Sequence, residues 1–260
     1  MNNKEQKVAL VMGAASGIGA ATAERLIADG YKVVIAGLPA DALQLTAERL
    51  NVTGFVCNVC DQNQVESVVH DVLTHCGSID VLVNAAGILV NDAVADIEDD
   101  VWQRQMDINL MGAMRVMRAV LPVMVQQRNG SVVNIASVAA FNAGADIASY
   151  AASKAGLVAL TRSAASKYGG HGVRVNAVCP GWVDTPMSRK EMADLAVEFE
   201  CTVPDAVERT VARVALGRMA SPFEVAAVCS FLAGSDASFV TGAAIVVDGG
   251  ARVPASARSN

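Results

Sequence analysis

Val8-Ala9-Leu10-Val11-Met12-Gly13-Ala14-Ala15-Ser16-Gly17-Ile18-Gly19 runs an apolar pentapeptide into a glycine-rich turn, and good helix formers follow over 20–27. Strand, turn and helix in that order open a βαβ unit. Outward from it the same rhythm repeats. Short apolar runs at 8–12, 32–36, 54–59, 81–84, 131–136, 174–178 and 243–247 alternate with segments of helical period near 17–29, 40–50, 61–76, 99–127, 149–168 and 222–233. Strands alternating with helices imply a parallel sheet covered on both faces. The expected architecture is therefore α/β, a doubly wound and mostly parallel seven-stranded sheet in one domain over residues 1–260. Right-handed crossovers bring the strands' carboxyl ends to one edge, where ligands of such sheets bind. The segment 186–217, opening Pro186-Met187-Ser188-Arg189-Lys190-Glu191, breaks the rhythm. Because it follows a strand's carboxyl end it is expected to be a substrate lid, with an ordered surface hairpin as the alternative.

With 260 residues, 53% of them hydrophobic, the chain buries a sizeable core, and its length suits one large domain. A formal net charge of -6 and the lack of any Lys/Arg cluster argue against a nucleic-acid partner. Residues 1–7 are polar and the apolar run 8–12 stops at Gly13, too short for a secretory leader or a membrane span. A soluble cytoplasmic protein with no membrane partner is expected, and its six cysteines then stay reduced. Only Cys57-Asn58-Val59-Cys60 has metal or redox spacing; without a second pair, and at the end of a strand, it reads as packing. His70, His75 and His171 fall at helix flanks or in a loop, so no metal is expected.

Glycines in the 13–19 turn permit a tight bend and let backbone approach a ligand, while the helix after it offers unpaired N–H groups and the positive end of its dipole. Gly13, Ser16, Gly17, Ile18 and Gly19 therefore read as a pyrophosphate cradle for a dinucleotide. An acid about 20 residues on would hold the adenine ribose. The second strand instead ends Val34-Ile35-Ala36-Gly37-Leu38-Pro39, with neither acid nor arginine, so NAD and NADP both stay open. The missing cation for a 2′-phosphate, with Asp41 nearby, tips the expectation to NAD.

A second cluster names chemistry. In Ser149-Tyr150-Ala151-Ala152-Ser153-Lys154 the phenol and the ammonium are four apart, on one helical face and about 6 Å apart along the axis. An ammonium beside a phenol favours the phenolate, so Lys154 is expected to lower the Tyr150 pKa from its usual value near 10 and yield an acid/base group. Ser137 lies thirteen residues upstream of Tyr150.

Further motifs occur in order: Asn84-Ala85-Ala86-Gly87, Asp107-Ile108-Asn109, Asn134-Ile135-Ala136-Ser137, Pro180-Gly181, Phe231-Leu232-Ala233, Val240-Thr241-Gly242 and Val247-Asp248-Gly249-Gly250. Together with the glycine turn and the Tyr150/Lys154 pair, they resemble the short-chain dehydrogenase/reductase family over essentially the whole chain. The resemblance implies a Rossmann-like fold and an oxidoreductase that moves a hydride between a nicotinamide cofactor and a secondary alcohol or ketone. It implies a catalytic set of Asn109, Ser137, Tyr150 and Lys154. In that set Tyr150 exchanges a proton with the substrate oxygen and Ser137 donates a hydrogen bond to it. Lys154 also bonds the nicotinamide ribose, and Asn109 holds a water leading to solvent. Gly37, Leu38, Asn58 and Val59 are implied around the adenosine, and Asn84, Ala85 and Gly87 as the cofactor's floor. Pro180, Gly181, Val183 and Thr185 are implied beside the nicotinamide, with Thr185 on the carboxamide. A homotetramer, or failing that a dimer, is expected as well; Met106, Met111, Met114, Met117 and Met124 offer either an apolar interface or core packing.

Departures from the family concentrate at the adenosine end: Met12 replaces a threonine, Asn58 an aspartate, and Gly37 the ribose acid. In the lid, Met187, Met192, Leu195, Phe199 and Val203 form an apolar ceiling or fasten the lid to the body. Residues 210–218 resemble β-ketoacyl and polyketide ketoreductases, which makes an NADPH-dependent ketoreductase the second reading. A non-catalytic nucleotide-sensing scaffold is the alternative from another class, since a fold alone does not establish an activity.

Overall fold

Seven parallel strands, β1 (Val8–Met12), β2 (Lys32–Gly37), β3 (Thr53–Val56), β4 (Val81–Asn84), β5 (Gly130–Ile135), β6 (Val173–Pro180) and β7 (Ala244–Val247), form one sheet in the computed structural model, which describes residues 6–251. Their order is β3-β2-β1-β4-β5-β6-β7. The first five connections carry α1 (Gly17–Ala28), α2 (Ala40–Leu50), α3 (Gln62–Cys76), α4 (Asp99–Met106) with α5 (Ala113–Gln127), and α6 (Ala148–Tyr168); the last carries α7 (Pro186–Glu198), α8 (Val203–Val211) and α9 (Pro222–Ala233). This is the doubly wound sheet that the alternating apolar runs imply.

Helices cover both faces because alternate strand residues feed two cores. On β1, Val8, Leu10 and Met12 pack with Val65 and Val72 of α3 and Val116 and Val120 of α5. Ala9 and Val11 point the other way, into a core with Leu26 of α1 and Val225 and Leu232 of α9. Each fully buried Leu or Val contributes about 1.5–3 kcal/mol relative to exposure. A long tie crosses the second core, where Ser131 Oγ donates to Leu232 O at 2.8 Å.

Two elements differ from the sequence reading. β3 stops at Val56, so Cys57 and Cys60 follow the strand and do not end it. Burial pushes both thiols up to about 11, and Cys57 belongs to the core. The helical run expected over 99–127 is broken by a π-helical turn, Asp107–Gly112, between α4 and α5. By length and composition Asp99–Gln127 could cross a bilayer. It is built into the fold, with Val116, Met117, Val120, Leu121 and Met124 all in the core. Two of the five methionines in that run are therefore packing, while Met111 is exposed.

The segment after β6 forms two helices. Thr185 and Thr202 start α7 and α8 with reciprocal side-chain caps, each helix having proline in its first turn. Met192, Ala196 and Ala206 are buried where the two helices pack, with Thr210 of α8 donating to Met192 Sδ, whereas Phe199 and Val203 are exposed.

Candidate active site

Where β1 and β4 run side by side the strand order reverses, and a cleft of about 760 Å³ opens there at the carboxyl ends. Its floor is backbone. A Cβ built on Gly13 would sit 2.3 Å from Ala86 N, so only glycine lets the 13–19 turn lie against residues 85–87. Ser16, the N-cap of α1, makes no side-chain cap bond, which leaves the helix's first N–H groups for a ligand. A bare turn beside an uncapped helix end fits a pyrophosphate, and the cleft suits a dinucleotide.

Gly37, Leu38, Asn58 and Val59, the residues expected around an adenosine, line the cleft together with Pro39, and none is charged. Asp41 stands exposed in the first turn of α2 and is not part of the wall. The carboxylate behind the expectation of NAD is thus missing, and no cation takes its place. Asn58 Oδ1, the atom available to an adenine amino group, already accepts from Cys60 N at 3.0 Å. Gly13, Gly17, Ile18, Gly19, Ala85, Gly87, Pro180, Gly181, Val183 and Thr185 also line the cleft. Asn84 does not. It pairs in register with Met12 and Asn134 and points with them into the helix-covered core. There its Nδ2 donates to Asn134 Oδ1 at 2.8 Å, and Asn134 Nδ2 donates to Thr161 Oγ1 at 2.9 Å. Asn84 Oδ1 lacks a donor among the described residues.

Ser137, Tyr150 and Lys154 meet at the opposite wall. Ser137 follows β5 and caps a short helical turn, its Oγ accepting from Ala139 N at 3.1 Å. The start of α6 is held by a buried cluster that the sequence did not single out. Ser149 N donates to Asp92 Oδ1 at 3.1 Å, the Ser149 hydroxyl bonds both Asp92 and Gln105, and Gln105 Nε2 donates to Val90 O at 2.9 Å. Tyr150 is the next residue, so this cluster fixes where its ring emerges.

Lys154 Nζ lies 5.6 Å from the Tyr150 ring centroid and donates to Ile135 O at 2.9 Å. Burial pushes the Tyr150 phenol up to about 12, with the Ser137 hydroxyl pulling down and the Glu191 charge pushing up. Burial also lowers Lys154, to about 8. The expected lowering of Tyr150 by Lys154 is overturned. Spacing on the helix aligns the two side chains, but the site takes both out of water, which disfavours phenolate and ammonium alike. Asn109 sits in the π-turn, fully buried and off the cleft wall. Its Oδ1 accepts from Ile88 N at 2.8 Å, and its Nδ2 donates to Ile88 O at 2.9 Å and Ser153 Oγ at 3.1 Å. Asn109 Oδ1 and Lys154 Nζ each lie 3.3 Å from the point where a Gly87 Cβ would stand, so glycine at 87 keeps open the space they share.

Comparisons agree with this geometry. A family model described as enoyl-(acyl carrier protein) reductase matches residues 13–252. The chain is 40% identical over 252 residues to a 3-oxoacyl-(acyl-carrier-protein) reductase of Thermotoga maritima, covering 95% of this chain and 98% of that protein. The chain belongs to the short-chain dehydrogenase/reductase family. A putative ketoacyl reductase of Streptomyces coelicolor is 36% identical over 96% of this dehydrogenase/reductase and 98% of its own length. A crystal structure of an actinorhodin polyketide ketoreductase variant with NADPH superposes with a TM-score of 0.92 at 36% identity, covering 96% of this chain and 98% of the other.

This short-chain dehydrogenase/reductase is accordingly an oxidoreductase that moves a hydride between a nicotinamide cofactor and a secondary alcohol or ketone, and the scaffold alternative falls. Past Tyr150 its cleft continues under the helix pair, where Met187, Glu191, Thr210 and Arg213 line it with Arg104 and Asn142. Of the apolar ceiling expected there, Met187 is the member on the cleft wall. Glu191 and Arg213 escaped the sequence reading. The available signal was an acid four residues after Met187 and four before Leu195, on one face of a helix.

Proposed function

We propose that this enzyme is a ketoreductase of the β-ketoacyl or polyketide type, working in the direction of reduction, with Tyr150 as its proton donor. The observation that carries the reading is the convergence of Ser137, Tyr150 and Lys154 on the cleft that the glycine turn floors, with the Tyr150 phenol hydrogen-bonded to Ser137 and able to give its proton to an alkoxide. Ser137 donates a hydrogen bond to the same oxygen and fixes its position. Held with its pyrophosphate at the glycine turn and its nicotinamide beside Pro180, Gly181, Val183 and Thr185, a reduced dinucleotide would supply the hydride. Lys154 and Asn109, converging over Gly87, hold the polar side from which Tyr150 recovers its proton. The names of the relatives in Thermotoga and Streptomyces support the substrate class.

The test is nicotinamide absorbance with a panel of β-ketoesters and bicyclic ketones. The expected result is turnover by the wild type and a loss of about 10²–10⁴-fold in Tyr150→Phe at unchanged melting temperature. Full activity in that variant would sink the mechanism. We propose further that both NADPH and NADH serve. A structural relative holds NADPH, while here no charged side chain marks the adenosine end for either form. Lacking a charge-assisted bond of about 1.5–3 kcal/mol to a 2′-phosphate, or a ribose carboxylate, the two kcat/KM values should agree within about tenfold. We also carry forward a homotetramer in the cytoplasm. The free edge of β7 and the exposed apolar side chains of Phe231 and Phe239 support association, and six unpaired cysteines suit a reducing compartment.

A further inference from the structure

The cleft wall carries four charged side chains, Arg104, Lys154, Glu191 and Arg213, and Glu191 is the one acid among them. It shares a face of α7 with Met187, which also lines the cleft. Several polar groups of α7 and α8 are engaged elsewhere, while Arg104 and Arg213 share the cleft wall with Glu191 without an ion pair to it. Arg189 pairs with Asp184 at 2.7 Å, Ser188 Oγ donates to Val183 O at 2.6 Å, Thr210 Oγ1 donates to Met192 Sδ at 3.5 Å, and Arg209 lies over the Phe199 ring. The half-buried Glu191 takes part in none of the ion pairs formed among the described residues. It lines the same cleft as Tyr150, near enough for its charge to act on the phenol. Burial, with the charge of Asp194, raises its carboxyl to about 7.

A carboxyl kept on the cleft wall outside every ion pair among the described residues is costly to cover with hydrocarbon, since its water would be lost and nothing would replace it. A hydroxyl would replace that water, because either protonation state of the carboxyl accepts from an O–H. We propose that Glu191 selects ketones bearing a hydroxyl group remote from the reacting carbonyl, so that the substrate is an oxygenated molecule and not a plain acyl chain. This rests on the ketoreductase reading and divides its two members, favouring the polyketide type. Glu191 accepts the remote hydroxyl while Tyr150 and Ser137 hold the carbonyl oxygen.

The experiment compares cyclohexanone with hydroxycyclohexanones carrying the hydroxyl at each ring position, for the wild type, Glu191→Gln and Glu191→Leu. Within each protein the ratio of kcat/KM for the best hydroxyketone to that for cyclohexanone is the readout. The wild-type ratio should be about ten to a hundred. Glu191→Gln should keep part of it through its amide oxygen, and Glu191→Leu should bring it to about one, the change lying in KM. A wild-type ratio near one, or a ratio that survives in both variants, overturns the role of Glu191. A wild type that reduces no ketone at all overturns the ketoreductase reading itself. Should Glu191→Leu fail to melt cooperatively, Glu191→Gln decides: an undiminished ratio overturns the proposal, and a severalfold fall supports it.

Discussion

Gly37 closes β2 with φ of 152°, and a Cβ there would lie 3.2 Å from Gly13 Cα and 3.3 Å from Gly13 N. The strand end where a dinucleotide fold can carry a ribose-binding acid is thus pressed against the turn that forms the cleft floor. An engineered Gly37→Asp, the obvious route to an NAD-selective enzyme, should cost about 1–3 kcal/mol of stability before it touches dinucleotide choice. A thermal melt checks this; an unchanged Tm would show that the turn gives way freely. Lys154 makes a second point at this scale. Its pKa falls from 10.5 to about 8 on folding, so between those values the unfolded chain binds the extra proton. Its contribution to stability therefore rises with pH across that window. Relative to Lys154→Met, the wild type should gain unfolding free energy from pH 8 to 10.5 in urea titrations, and a flat difference would contradict the burial of the ammonium.

Among the elements, the π-helical turn Asp107–Gly112 is the one whose geometry the site depends on. It sets Asn109 against Ile88 and Ser153, and Asn109→Ala would strand buried backbone groups of Ile88. The expected cost is about 1–3 kcal/mol for each group left unpaired, read as a lower Tm together with a lower kcat. Helix α7 carries the second prediction. Because Glu191 rises from 4.5 to about 7 in the folded state, folding binds a proton between these values, and stability falls as pH rises across them. Glu191→Gln should remove that decline, measured as unfolding free energy from pH 4.5 to 7; a parallel decline in both proteins would contradict it. The strands and most helices were legible because burial on two faces writes continuous apolar runs between turn residues. The π-turn was not, since one added residue per turn barely alters the periodicity of a run such as 99–127. Tyr150 and Lys154 were legible as a pair but not in their ionisation, because spacing reports alignment whereas burial sets the pKa. Asn84 was misplaced for a related reason: its motif marks the strand end, and only the register with Met12 and Asn134 shows which face it takes.

For the molecule as a whole, the sheet's order leaves β3 and β7 as edges. With that open edge and the exposed apolar side chains of Phe231 and Phe239, light scattering should give a mass of about four chains; a monomer would overturn the homotetramer. The other global feature is that one cleft holds both the glycine floor and the space beneath α7 and α8. A ketone lodged against Tyr150 and Glu191 would stand in the way of a dinucleotide seeking Gly13 and Ala86. Binding is therefore expected to be ordered, dinucleotide first and alcohol leaving before the spent dinucleotide; product inhibition competitive only between the two nicotinamide forms would support that order, and any other pattern would overturn it.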